Sequence, residues 1–263
     1  MALLSGRKGL IVGIANERSL AYAIARAAQS EGAQLALTYQ NDRLQPRVAA
    51  AAAEFADALT LPCDVNEDQQ VEDLAKGLSS WGHLDFVVHA VASAKREELS
   101  GRFVDTSRDG FAMALETSCY SLVTLARGLE PLLRASPNGA SILTLSYFGA
   151  QKVVPNYNIM GVAKAALEAS VRYLATDLGA EGIRVNALSP GPVKTLSAAG
   201  IKGFRTMLGA SEALSPLQGS IDAEQVAKAA LFALSDLSAA VTGEVIHVDK
   251  GMHTLAATPK EQA

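Results

Sequence analysis

Tyr147, Tyr157 and Lys164 are the residues whose types and spacing best suit chemistry. They lie between Leu145 and Leu167 in the run LSYFGAQKVVPNYNIMGVAKAAL. A phenol offers a hydrogen-bond donor, and an ammonium offers a compact positive charge with three donors. Tyr157 and Lys164 are seven residues apart in a stretch that reads as the end of a strand and the helix after it. Seven steps of ~100° return to nearly the same azimuth, so both side chains share one helical face, about 10 Å apart along the axis. From such a face one group can reach a substrate and the other a cofactor. Alone the pattern is weak: a lysine in an alanine-rich helix ordinarily faces solvent, and tyrosines ordinarily pack in a core or at its rim.

Short apolar runs alternate with helical patterns along the whole chain. Strands are predicted at 8–14, 34–39, 59–63, 84–90, 140–145, 183–188 and 244–248. Helices are predicted at 19–29, 43–55, 67–78, in one long element ending near Arg134, from the opening stretch to Leu178, and at 200–209 and 223–234. This alternation implies an α/β fold with a parallel sheet covered on both faces. Right-handed crossovers make it a doubly wound, Rossmann-type fold of seven strands. No linker, repeat or composition break divides the 263 residues, so one domain is expected over 1–263, with a weakly structured tail from Thr254.

In such a sheet, ligands sit beyond the carboxyl ends of the strands. After the first strand, Gly13 lets the backbone turn close to a pyrophosphate, and a helix beginning near Ser19 offers free amides to phosphates. The Gly-x-Gly-x-x-Gly fingerprint is absent, and a glycine followed by a serine N-cap is also ordinary punctuation. After the second strand, Gln40 stands where an acidic residue selects NAD and an arginine favours a 2′-phosphate. It can bond a ribose hydroxyl but has no charge for a phosphate, although Arg43 is near. After the third, Asp64 can meet an adenine amino group or cap the next helix. After the fourth, the small residues from Ala90 to Ala94 leave space for a flat cofactor, and His89 reads as a structural histidine. Four strand ends in order, each with something a dinucleotide uses, carry more weight than any one of them.

Composition narrows the partners. The net charge is −4 and hydrophobic residues make up 49%, which suits a folded domain and gives no broad positive field for nucleic acid or an anionic membrane. No apolar run is long enough to cross a bilayer, and the N-terminus turns polar too soon for a signal peptide. Cys63 and Cys119 are isolated, without metal-ligand spacing. A reducing cytoplasm is the expected setting.

Over essentially its whole length the chain resembles the short-chain dehydrogenase/reductase superfamily. Asn186 to Val193 looks like its nicotinamide-side loop, and Val241-Thr242-Gly243-Glu244 with Val248-Asp249 looks like its last strand. Ordinary members keep a tyrosine four residues before the lysine and a serine thirteen before that tyrosine; here Met160 and Tyr147 stand at those places. The spacing Tyr157-x6-Lys164 with Gly13-x5-Ser19 is similar to that of the bacterial NADH-dependent enoyl-acyl-carrier-protein reductases. Thr38-Tyr39-Gln40-Asn41-Asp42, Leu143 to Tyr147, Pro155 to Gly161, Thr195-Leu196 and Gly200-Ile201-Lys202 match the same group.

The resemblance implies that Gly13, Ser19, Leu20, Gln40, Asp64, Val65, Val91, Lys164, Val193, Lys194, Thr195, Leu196 and Ser197 bind NADH. It implies that Ala94 lies against an acyl substrate and that Tyr147 and Tyr157 are active-site tyrosines. A substrate lid is expected over 195–210, in preference to a plain amphipathic core helix, with Ile201, Phe204 and Met207 facing the acyl chain; Lys202 and Arg205 on its other side are either ordinary solvated charges or contacts for an acidic carrier protein. The expected reaction is NADH-dependent reduction of a trans-2-enoyl thioester on acyl carrier protein, the last step of fatty-acid elongation. A homotetramer is implied, with helices at 107–134 and 156–178 between subunits. Ser93 departs from a position often aromatic, Lys250 interrupts an Asp-Gly-Gly, and Glu97-Glu98 makes the neighbouring loop acidic. A short-chain alcohol or ketone dehydrogenase is the rival enzyme, opposed by Met160. A non-catalytic dinucleotide sensor is the rival of another class, opposed by Tyr157 and Lys164.

Overall fold

The computed structural model describes residues 2–195 and 203–255. Leu196, Ser197, Ile201 and Lys202, the side chain of Arg205 and the tail beyond Leu255 lie outside the described residues. Seven parallel strands form one sheet: β1 (Lys8–Val12), β2 (Gln34–Tyr39), β3 (Leu59–Pro62), β4 (Phe86–His89), β5 (Ala140–Leu145), β6 (Ile183–Pro190) and β7 (Val245–Val248), in the order β3-β2-β1-β4-β5-β6-β7. The strands are apolar on successive residues because both faces are covered. Ile11, Leu37, Val88, Leu143 and Leu188 face helices α1 (Leu20–Ser30), α2 (Gln45–Ala52) and α8 (Ala223–Leu234). Leu10, Val87, Ile142, Val185 and Ala187 face α3 (Asp68–Leu78), α5 (Ser121–Arg134) and α6 (Ile159–Leu178). The doubly wound reading holds, with strand ends moved by one or two residues.

Two expected elements differ. The long helix ending near Arg134 is two helices, α4 (Arg108–Leu115) and α5, joined by a π-helical turn over Glu116–Tyr120. The extra residue in such a turn re-aims side chains. Here Ser118 is directed onto the loop after β4, where its Oγ accepts from the Ser93 amide at 2.9 Å and donates to the Ser93 carbonyl at 3.1 Å. The helix expected at 200–209 is α7, and it spans Phe204–Leu214, ending five residues later than expected. Lys250, the departure in the last turn, takes φ 58°, a conformation that favours glycine, and donates from Nζ to the Gln218 carbonyl at 3.0 Å.

The chain leaves β1 toward β2 and returns to β4 on the other side of β1. A crevice therefore opens between the carboxyl ends of β1 and β4. Gly13 stands at its floor with φ 108°, and a Cβ there would lie 2.3 Å from the Ala90 carbonyl oxygen. No other residue fits that turn without moving β4. Gly13→Ala is expected to destabilise the fold by at least the ~1–2 kcal/mol of a left-handed alanine, seen as a lowered midpoint in thermal unfolding. An unchanged midpoint would mean that the two strand ends can separate freely.

Candidate active site

A cleft of about 880 Å³ opens along these strand ends, large for a ligand site by the usual ~300–1,000 Å³. Its first half gathers the residues expected for a dinucleotide. Gly13, Ser19, Leu20, Gln40, Val65 and Val91 line it. Ser19 is the N-cap of α1, accepting from the Tyr22 amide at 3.3 Å, so the helix presents its first-turn amides to the crevice. Asp64 is not a cap: the N-cap position of α3 is Glu67. The Asp64 carboxylate instead accepts from the Asn66 amide at 3.1 Å and from Gln40 Nε2 at 2.9 Å. The two residues expected at the adenosine end are thus joined. With one N–H on Asp64, Gln40 keeps its carbonyl oxygen and a second N–H, which suit a ribose hydroxyl but bring no positive charge to a phosphate.

The second half gathers the residues expected to do chemistry. Tyr147, Tyr157, Met160 and Lys164 line it together with Ala94, Val193, Thr195, Phe204 and Met207. Lys194 is exposed and does not line it. Tyr157 is not on the helix. It precedes the first residue of α6 by two positions, between Asn156 at φ 61° and Asn158 at φ 37°. Asparagine tolerates such backbone better than other side chains. The shared-face argument therefore fails for Tyr157, and a strained turn, rather than helical azimuth, brings its ring to the same cleft as Lys164. Gly149 makes room for it, since a Cβ there would lie 2.5 Å from Tyr157 Cδ1. The rings of Tyr147 and Tyr157 meet edge to face, with centroids 4.9 Å apart.

Burial sets the protonation states. It pushes the Tyr157 phenol far above its ordinary value, with Tyr147 adding to the effect, and pushes Tyr147 up to about 12. Both are neutral donors at any ordinary pH. Tyr147 Oη donates to Met207 Sδ at 3.1 Å. Among the described residues the Tyr157 hydroxyl makes no hydrogen bond and is not enclosed. Lys164 is buried, contrary to the ordinary solvent-facing lysine, and donates to the Leu145 carbonyl at 2.6 Å. One of its three N–H donors is used there, leaving two. Desolvation lowers it to about 8, opposed by Cys119 and Glu168.

His89 is structural, as its sequence suggests. Its ring nitrogens bond Thr144 Oγ1 and Ser121 Oγ, each at 2.8 Å. Burial first, and then Lys164, lowers it to about 3, so it stays neutral. Of the acidic pair, Glu97 is exposed, whereas Glu98 is buried and holds the Ser107 hydroxyl at 2.5 Å. The sequence reading missed Met113 and Thr117 in the cleft wall, which fell inside the expected long helix. It also missed the pair Ser146–Glu168, joined at 2.5 Å. Among the described residues no group of His, Cys, Asp and Glu side chains could hold a metal.

A crevice at the switch point of a doubly wound sheet, floored by a glycine turn and a helix start, takes dinucleotides. A neutral phenol donor and a buried ammonium at its far end define a dinucleotide-dependent oxidoreductase. The family described as enoyl-(acyl carrier protein) reductase matches residues 13–253, and the chain belongs to it. An NADH enoyl-[acyl-carrier-protein] reductase of Rhizobium meliloti is 50% identical over 254 residues, 96% of this chain and 92% of that protein. The crystal structure of the Anaplasma phagocytophilum reductase in complex with NAD has a TM-score of 0.93 at 49% identity, covering 98% of each chain. A Bacillus cereus reductase crystallised with NADP+ and indole naphthyridinone has a TM-score of 0.94 at 45% identity, covering 98% of this chain and all of that one.

The Lys164 ammonium is charged below about pH 8 and loses its proton as the pH rises through that value. Affinity for a reduced nicotinamide dinucleotide, read by fluorescence titration, is expected to hold up to about pH 8 and decline above it. Affinity that stays level to the ordinary lysine value of 10.5 would show that Lys164 does not hold the ligand.

Proposed function

We propose that this chain catalyses the NADH-dependent reduction of the carbon–carbon double bond of trans-2-enoyl thioesters carried on acyl carrier protein, the last step of fatty-acid elongation. The observation that carries the reading is the displaced tyrosine. Met160 fills the place where ordinary short-chain reductases keep theirs, buried with Ser118 Oγ on its sulfur at 3.7 Å. The free phenol is Tyr157, brought in by the preceding turn. A carbonyl reductase must meet the oxygen on the carbon that receives hydride, whereas an enoyl reductase must meet a thioester oxygen two carbons away. Moving the donor out of the helix and into the turn before it suits the second task.

The cradle fits the cofactor. Gly13, Ser19, Leu20, Val65 and Val91 would hold its adenine and pyrophosphate half, Gln40 with Asp64 its adenosine ribose, and Lys164, Val193 and Thr195 its nicotinamide half. When bound, NADH supplies the hydride to the substrate β-carbon. Tyr157 Oη then donates a hydrogen bond to the thioester oxygen as it gains enolate charge. Lys164 adds positive charge nearby and, through its two remaining donors, orients the nicotinamide ribose hydroxyls. Tyr147, with Ala94, Phe204 and Met207, shapes the acyl pocket, and α7 closes over it as a lid.

The finer assignments have their own support. Phe111, Tyr120 and Tyr173 are exposed on the helices expected between subunits, which favours the homotetramer; light scattering on the purified protein checks it. No helix among the described residues is long and apolar enough to cross a membrane. Both cysteines are free and buried, which favours a reducing cytoplasm.

Mixing the protein with NADH and crotonyl thioester is expected to consume nicotinamide absorbance; bound NADH without turnover would sink the assignment. NADPH is expected to bind more weakly than NADH, because Gln40 offers a phosphate no charge. Tyr157→Phe is expected to lower kcat by on the order of 10²–10³, the usual loss for one oxyanion donor, while leaving NADH affinity close to that of the parent.

A further inference from the structure

Behind the cleft, three polar side chains stand in a row across the carboxyl edge of the sheet. Ser146 follows Leu145, which is registered on Leu188, and Ser189 is registered on His247. Alternation places all three on the α6 face, because Ile142, Val185, Ala187 and Val245 on the same strands pack against α6. Glu168, one helical turn after Lys164, lies over the row with its carboxylate on Ser146 Oγ at 2.5 Å. Among the described residues two atoms of the row are buried without a partner, Ser189 Oγ and His247 Nε2. Buried polar atoms are nearly always satisfied, and a polar gap with two or more such atoms ordinarily holds a water. His247 is only half-buried as a residue, stacked on His253 at 3.9 Å, and His253 is in turn held by Asp249 at 2.9 Å. The imidazole therefore runs from its enclosed Nε2 toward the surface, and Ser146 at the other end of the row lines the cleft.

We propose that a buried water joins Ser189 Oγ, His247 Nε2 and Glu168, and that this chain returns a solvent proton to the active site through Ser146. This rests on the enoyl-reductase reading, in which each turnover leaves one proton to be added at the substrate α-carbon. His247, protonated from solvent, passes a proton through the water to the Glu168 carboxylate, which hands it to Ser146 Oγ as Ser146 releases its own into the cleft. No electrons move in the relay, and each residue ends as it began. Glu168 also faces Lys164 and opposes its loss of charge, so it is a relay and positioning residue that does not touch the substrate.

Glu168→Gln keeps an acceptor for Ser146 but cannot carry a proton. In the full-length protein with NADH and crotonyl thioester, kcat is expected to fall at least about tenfold, short of the ~10²–10⁴ of a direct acid, and its solvent deuterium isotope effect to rise. Unchanged kcat, or a fall with the isotope effect unchanged, overturns the relay. His247→Ala is the second variant: it is expected to lose rate and to recover it with added imidazole, and no recovery overturns the relay. Independently of turnover, the His247 ring signals followed by NMR are expected to titrate at lower pH in Glu168→Gln, since Glu168 supports the charged ring. An unmoved titration separates the two groups and overturns the shared water. If the parent protein itself fails to turn over, the reductase reading has failed, whereas failure of the variants alone removes only the relay.

Discussion

The active site depends on a charge held where charge is costly. Lys164 is buried in the second turn of α6, and taking an ammonium out of water ordinarily drives it toward the neutral form. The fold opposes that with the Leu145 carbonyl at 2.6 Å and with Glu168 one turn away. Leu145 is the last residue of β5, so the lysine is tied to a strand end rather than to a loop. The same charge helps keep His89 neutral, which lets Thr144, Ser121 and His89 join β4, β5 and α5 as an uncharged hydrogen-bonded unit. A charged histidine there would repel Lys164.

Around this fixed cation the phenols are kept neutral and differently occupied. Tyr147 is engaged with Met207 on α7, whereas Tyr157 has a donor to give. Their edge-to-face contact makes Tyr147 a wall for Tyr157, and Gly149 leaves space for the ring. Tyr157 is therefore aimed by packing on a strained turn, with an asparagine in left-handed backbone on each flank. Strain of this kind persists only where surrounding structure determines it, and it concentrates at functional sites. Preorganised donors need no rearrangement when charge develops, which is where much of their effect arises.

Much of this was legible in the sequence because it follows periodicity and strand ends. The seven strands are apolar runs bounded by turn residues. Gly13, Ser19, Gln40 and Asp64 follow strands one to three, where a doubly wound sheet must place ligands. What was not legible depended on backbone that departs from regular geometry. The π turn at Glu116–Tyr120 carries no composition signal, so Thr117 and Met113 were hidden inside an apparently continuous helix. Tyr157 was placed in the right cleft for the wrong reason, because Asn156 and Asn158 read as ordinary polar residues rather than as left-handed positions. Asp64 looked like a cap because its spacing to α3 allows one, yet it bonds Gln40 across a neighbouring strand end. Long-range pairings of that sort, like Ser146 with Glu168 across 22 residues, are set by strand order and have no local pattern.

The Gln40–Asp64 pair shows how such a pairing changes the chemistry of a residue. A free glutamine presents either end of its amide and discriminates poorly between a hydroxyl and a phosphate. Once the carboxylate holds one N–H, the carbonyl oxygen and one N–H are left, and the adjoining negative charge meets a 2′-phosphate with repulsion. On the proposed reading, selectivity at this strand end would belong to two residues. Asp64 contributes by orienting its neighbour as well as by its own charge. The same logic governs the chemical end, where Met160 removes the ordinary donor and Gly149 leaves room for the displaced one. At both ends, the residue that would contact the ligand takes its meaning from a neighbour that does not.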